Sequence, residues 1–242
     1  GRKSKPTEPS FGRYGRRAGT ATSKPHVTNT PQSSMQYHMD RRQEPARDRI
    51  GLTAFHERGF VVMRPSLLKS PKIPERFQSL KSKIDGMGTN VTDGLRKAID
   101  LACETPRGRR RRIILLSDGE ANREIHALWR EVERAKANWI NIDCIAFGPD
   151  APRDTLERIS KATHNGKMIA VNSLRGLSDA LAHSTPANAK KTGCHKPQTT
   201  IYCIDASISM RMPMDGEAGR SRIDVVQECL FRDLVVKQQA FA

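Results

Sequence analysis

"TTIYCIDASISM", residues 199 to 210, runs six mostly apolar, β-favouring residues into Asp205, Ser207 and Ser209. A buried strand that stops in oxygen-bearing side chains ordinarily opens an α/β domain, because sites form beyond the carboxyl ends of such strands. Here the stretch lies only about forty residues before the end of a 242-residue chain.

Working outward, apolar runs and helical patterns alternate from Asp48 onward. "RIGLTAF" (49 to 55) and "FVVMRP" (60 to 65), separated by "HERG", predict a hairpin. "RIILLS" (112 to 117), "INIDCIAFG" (140 to 148) and "KMIAV" (167 to 171) predict further strands, the first a continuous apolar run of the kind buried on both faces. Between them, "TDGLRKAIDLACE" (92 to 104) sets Leu95, Ala98, Ile99 and Ala102 at helical spacing, and "REIHALWREVERAKA" (123 to 137) does the same with Ile125, Leu128, Trp129 and Val132. Residues 153 to 163, 173 to 184 and 222 to 241 are the other predicted helices, and the polar stretch 185 to 198 is a predicted linker carrying Cys194 and His195. The alternation argues for an α/β domain with a largely parallel sheet.

Two other turns carry oxygen ligands at the same sheet edge. Strand 112 to 117 ends in Asp118, Gly119 and Glu120, and the loop "GMGTN" (86 to 90) presents Thr89 just before a helix. Two carboxylates and three hydroxyls form an all-oxygen set, which suits a hard divalent cation, whereas zinc would want His or Cys. Taken singly, each turn is also an ordinary strand-to-helix connection in which Asp or Ser caps helix amides.

"DASIS" with Met210, "GMGTNVTDGL" and "IILLSDGEAN" together resemble the von Willebrand factor A (VWA) domain and its metal-ion-dependent adhesion site, or MIDAS. The resemblance covers roughly residues 48 to 184 and 199 to 242, with Ile208 standing where the family usually has Gly. It implies a doubly wound, mostly parallel six-stranded sheet flanked by helices. It further implies that Ser207, Ser209 and Thr89 touch the metal or its waters, while Asp205 and Asp118 hold it directly or through water. The implied ion is Mg²⁺, or Mn²⁺ or Ca²⁺. Held largely by neutral hydroxyls, it keeps net positive charge and an open position that an Asp or Glu of a protein partner completes.

In the family the DxSxS strand comes first, and here it comes last. Every family strand and helix is otherwise present once, which predicts a circular permutant: residues 48 to 184 supply strands 2 to 6 of the family order, 185 to 198 the linker, and 199 to 242 the first strand and helix. The linker can span roughly 45 Å, against roughly 15 Å across three strand spacings.

The net charge is +16, and residues 1 to 47 are a basic arm rich in Ser, Thr, Gly and Pro. With Arg107, Arg109, Arg110, Arg111 and Arg112 it supports an alternative reading, a structural component that binds RNA or DNA. The expected protein partner extends to an AAA+ ATPase or a larger complex, since "RDRIGLTAF" after a long helix is similar to chelatase-type subunits. No P-loop, GxSxG or HExxH motif occurs, so the expectation is a non-enzyme. Five cysteines without CxxC spacing, no apolar leading segment and no run near the roughly 18 apolar residues of a membrane helix predict an intracellular, cytoplasmic chain away from membranes. Met87, Met210, Met212 and Met214 are expected to ring the metal edge, with His56 and Glu57 at the same rim.

Overall fold

The computed structural model describes Gly1, residues 48–106, 108–183 and 197–214, Gly216 and residues 219–240. The basic arm, Arg107, most of the linker with Cys194 and His195, and the junction of Arg47 with Ala242 lie outside the described residues.

Strands β1 (Arg49–Phe55), β2 (Gly59–Leu67), β3 (Arg110–Ser117), β4 (Ile140–Phe147), β5 (Met168–Val171) and β6 (Gln198–Asp205) form one sheet in the order β2-β1-β6-β3-β4-β5. Only the β1–β2 hairpin is antiparallel, and β6 lies parallel between β1 and β3. The last strand in the chain is therefore a central strand of the sheet. Its eight residues are all buried, polar Gln198, Thr199, Thr200 and Asp205 included, as a strand covered on both faces requires.

Helices cover both faces. Because side chains alternate across a strand, Ile201 and Cys203 of β6 enter one core and Tyr202 and Ile204 the other. The first core packs under α2 (Val91–Cys103), α3 (Ile125–Ala137) and α4 (Arg153–Ala162), through Leu95, Ile99, Leu128, Val132 and Ile159. The second packs under α1 (Lys72–Gln78), α5 (Leu174–His183) and α6 (Arg222–Ala240), through Phe77, Leu177, Val226 and Leu230. The doubly wound α/β sheet expected from the sequence is thus observed. Sequence periodicity missed α1: its seven residues "KIPERFQ" are too few for a periodic signal, and the helix is held by burial of Ile73 and Phe77.

Two contacts fix α2 and α6 on the sheet. A Cβ on Gly94 would lie 2.4 Å from the Phe55 ring, so α2 approaches β1 at a distance only glycine permits. Across the sheet, Lys237 of α6 donates to the Tyr202 hydroxyl at 2.7 Å and pairs with Asp233, which also accepts from Tyr202. All three groups are buried. Burial and the neighbouring Asp233 carboxylate push the Tyr202 phenol well above its ordinary range.

Candidate functional site

At the carboxyl end of β6 the chain leaves the sheet at Asp205, which is fully buried. Ser117, the last residue of β3, donates to Asp205 Oδ2 at 2.7 Å, and the Ser207 amide donates to Oδ1 at 2.9 Å. A 3₁₀ turn (Ile208–Arg211) then folds Ser209 back, bringing its Oγ to 2.9 Å from Ser207 Oγ. Ser209 donates onward to Asp118 Oδ1 at 2.8 Å. The parallel register of β3 and β6 makes this meeting possible, since Leu116 pairs with Ile204 and both chains turn off at the same level.

Thr89 arrives from a third segment. Its loop is stitched to the β6 turn by the Asp85 amide donating to the Ala206 carbonyl and the Ile208 amide donating to the Gly86 carbonyl, both at 3.2 Å. It is stitched to the β3 turn by Asn122, whose Oδ1 accepts from the Thr89 amide at 2.9 Å while its own amide donates to the Thr89 carbonyl at 3.1 Å. Thr89 Oγ1 sits 3.8 Å from where a Cβ on Gly119 would stand, over the Asp-Gly turn. All five residues singled out from the sequence therefore converge on one edge.

Burial lifts the Asp205 carboxyl to about pH 7, the nearby Asp118 carboxylate adds to the rise, and hydrogen bonds from Ser207 and Ser117 oppose it. Asp118 has a partner of its own: Arg222, the first residue of α6, donates Nη1 to Asp118 Oδ2 at 2.6 Å, with side chains 12% and 0% exposed.

The family model for the von Willebrand factor type A domain matches residues 33–183, more than half of the chain. The chain belongs to the von Willebrand factor type A domain family. The match ends before β6 and α6, so the segment carrying Asp205, Ser207 and Ser209 lies beyond it. Similar solved structures include the following two. The VWA domain of SpRpn10 is 18% identical, with 64% of this chain and 82% of that chain covered and a TM-score of 0.45. An uncharacterized membrane spanning protein from Vibrio fischeri is 20% identical, with 63% and 82% covered and a TM-score of 0.29. No curated protein matches the chain significantly. VWA domains generally serve protein interaction and often bind a divalent cation.

Tested against such an ion, the donors of this VWA domain fit in kind: two carboxylates and three hydroxyls, with Ser207, Ser209 and Asp118 joined at hydrogen-bonding distances and Thr89 Oγ1 over the Asp-Gly turn. Among the described residues no cluster of three or more His, Cys, Asp or Glu side chains is arranged to hold a metal, so any cation here would depend on hydroxyl oxygens. Arg222 already occupies one oxygen of Asp118.

Several expectations about the rim need correction. Met210, turned inward by the 3₁₀ turn, and Met214, whose amide donates to the Arg220 carbonyl at 2.9 Å, are buried in the core beneath the edge; of the four, Met87 and Met212 are exposed. Ile208, at the position where Gly is usual, is 45% exposed. His56 and Glu57 do reach the rim, within 3.1 Å of Cβ positions built on Gly86 and Gly88. On the opposite edge the arginine run is partly consumed inside the domain: Arg112 pairs with Asp143, Arg111 donates to the Thr105 carbonyl at 2.9 Å, and Arg109 donates to Thr199 Oγ1 at 3.2 Å. Arg110 is exposed.

Ser117, Asn122 and Arg222 complete the edge without having been singled out. Ser117 and Asn122 flank the Asp-Gly turn and were legible as its neighbours. Arg222 gave no local signal, because its role depends on where α6 begins in space. No helix of the described residues is long and apolar enough to cross a membrane. Among the described residues Cys103, Cys144 and Cys203 are free thiols, and burial pushes the Cys203 thiol up to about 12.

Proposed function

We propose that this VWA domain is a metal-ion-dependent protein-binding module, with a divalent cation, Mg²⁺ or alternatively Mn²⁺ or Ca²⁺, held by Asp205, Ser207, Ser209, Thr89 and Asp118. An Asp or Glu of the partner completes the ion's shell. The observation that carries the reading is the chain of oxygens from Ser207 through Ser209 to Asp118, at 2.9 and 2.8 Å, which links turns 91 positions apart in the sequence. The function is adhesion or assembly, within a larger complex such as one built on an AAA+ ATPase, and not catalysis. The central position of β6 supports reading the chain as a circular permutant whose first family strand and helix come last.

Titration with Mn²⁺, followed by electron paramagnetic resonance, tests the site: the intact chain should bind one ion, and Asp205→Ala should not. A pull-down with and without chelator then tests the use of the ion. Recovery of the same proteins by the intact chain and by Asp118→Ala, in both conditions, would rule out adhesion through a cation.

A second reading, nucleic-acid binding, draws on the opposite edge. There Trp139 is 75% exposed and stacks on His164 at 4.3 Å, just before the strand that pairs with the exposed Arg110 end of β3. Exposed aromatic rings beside cations stack bases and neutralise phosphates. Salt-dependent binding of a single-stranded oligonucleotide, weakened by Trp139→Ala, would favour it.

A further inference from the structure

The guanidinium of Arg222 already performs at the rim part of what a metal would do. Its Nη1 holds Asp118 Oδ2 at 2.6 Å, and the carboxylate is 0% exposed, so the buried negative charge is neutralised from within the chain. The other arm of the fork faces a second acceptor: Nη2 lies 3.8 Å from Asp150 Oδ2, and Asp150 is 79% exposed. Beside the guanidinium is a small cavity of about 70 Å³, lined by Phe147, Gly148, Asn172, Pro213 and Met214 together with Arg222 itself. That is room for roughly two waters, enough for a planar guanidinium to swing. Gly148, held at φ +95°, packs directly beside the Arg222 guanidinium, where a Cβ would be in ordinary contact at 3.5 Å.

We propose that Arg222 is the resident counter-cation of this edge, exchanged for a divalent ion at Asp118 by moving its guanidinium from Asp118 to Asp150. Arg222 is a positioning residue: it sets how tightly the edge takes a cation and couples that occupancy to the N-terminus of α6. A divalent ion drawn to Asp118 and the guanidinium on its Oδ2 repel each other, so the ion binds more tightly as Arg222 withdraws, and the exposed Asp150 stabilises the withdrawn state. The consequence is a site tuned to weak, exchangeable binding. The inference rests on the metal-dependent reading above, and its test separates the two.

The experiment is Mn²⁺ titration of the full chain, comparing wild type with Arg222→Gln, Arg222→Lys and Asp150→Asn. A charge this close to a mostly buried ion changes its affinity by at least about tenfold. Arg222→Gln should therefore bind Mn²⁺ about tenfold or more tightly than wild type, Arg222→Lys should stay near wild type, and Asp150→Asn should bind more weakly. Equal affinity in wild type and folded Arg222→Gln overturns the exchange and leaves the metal reading standing. An equal gain in Arg222→Lys and Arg222→Gln also overturns it, because charge would then not be the cause. Binding by Arg222→Gln with none by wild type supports the exchange and sinks the metal-dependent function of the native chain. No binding by either sinks both. Should Arg222→Gln fail to fold, ¹⁵N-guanidinium NMR of the wild type decides: saturating Mg²⁺ should move the Arg222 side-chain resonance, and an unmoved resonance overturns the proposal.

Discussion

Ser209 donates its hydroxyl to Asp118 Oδ1 at 2.8 Å although 91 positions separate the two residues. Neither residue has a local reason to find the other. The contact exists because β3 and β6 are parallel neighbours in register, so the turns that follow them leave the sheet side by side.

Burial of Asp205, with the Asp118 carboxylate close by, has a cost in the metal-free protein, which pH reveals. Asp205 titrates near 7 when folded, against about 4 in an unfolded chain. The folded state thus holds its proton longer, and the contribution to stability is fully present below about pH 4 and lost as pH rises toward 7. Urea unfolding in chelator at several pH values should show a loss on the order of a few kcal/mol across that window in wild type relative to Asp205→Asn. Parallel pH profiles for the two proteins would contradict it.

Asn122 holds the Thr89 loop by its side chain. In Asn122→Ala the Thr89 amide, on a residue only 6% exposed, loses its acceptor, which costs about 1–3 kcal/mol for an unsatisfied buried donor. Hydrogen exchange at Thr89 should accelerate accordingly while amides of β4 keep their protection. Unchanged exchange at Thr89 would mean the clasp is dispensable.

Gly94 sets how closely α2 sits on β1. Gly94→Ala puts a methyl 2.4 Å from Phe55, and overpacking of this kind costs about 1–3 kcal/mol despite alanine's better helix propensity. Thermal unfolding should fall, and Phe55→Leu should partly restore it by making room. A more stable Gly94→Ala protein would show that the helix can shift freely.

The buried Tyr202–Asp233–Lys237 group ties the C-terminal helix to the central strand. Lys237→Met leaves Asp233 buried without its cation, for which about 3–5 kcal/mol is expected. The double change Lys237→Met with Asp233→Leu should recover most of that loss. A double variant as unstable as the single one would place the cost elsewhere.

Much of this domain was legible before any coordinates. A continuous apolar run marked β3, and mostly apolar, β-favouring runs marked β4 and β6, as strands buried on both faces favour, and the observed boundaries fall within two residues of those read for all three. Amphipathic spacing marked α2 and α3, since only one face of each meets the sheet. Asp118, Thr89, Asp205, Ser207 and Ser209 could be nominated because oxygen-bearing turns at strand ends are a local pattern.

What the linear order by itself determined was therefore identity and type: which segments are strand or helix, and which side chains can offer oxygen to a hard ion. Only the tertiary structure decided that the last strand stands between β1 and β3, that Met210 and Met214 turn inward, and that Arg222 reaches Asp118 across 104 positions. The reason is physical. Local pattern follows from the period of a helix or strand, but which charge neutralises a buried carboxylate depends on packing between elements that are distant along the chain.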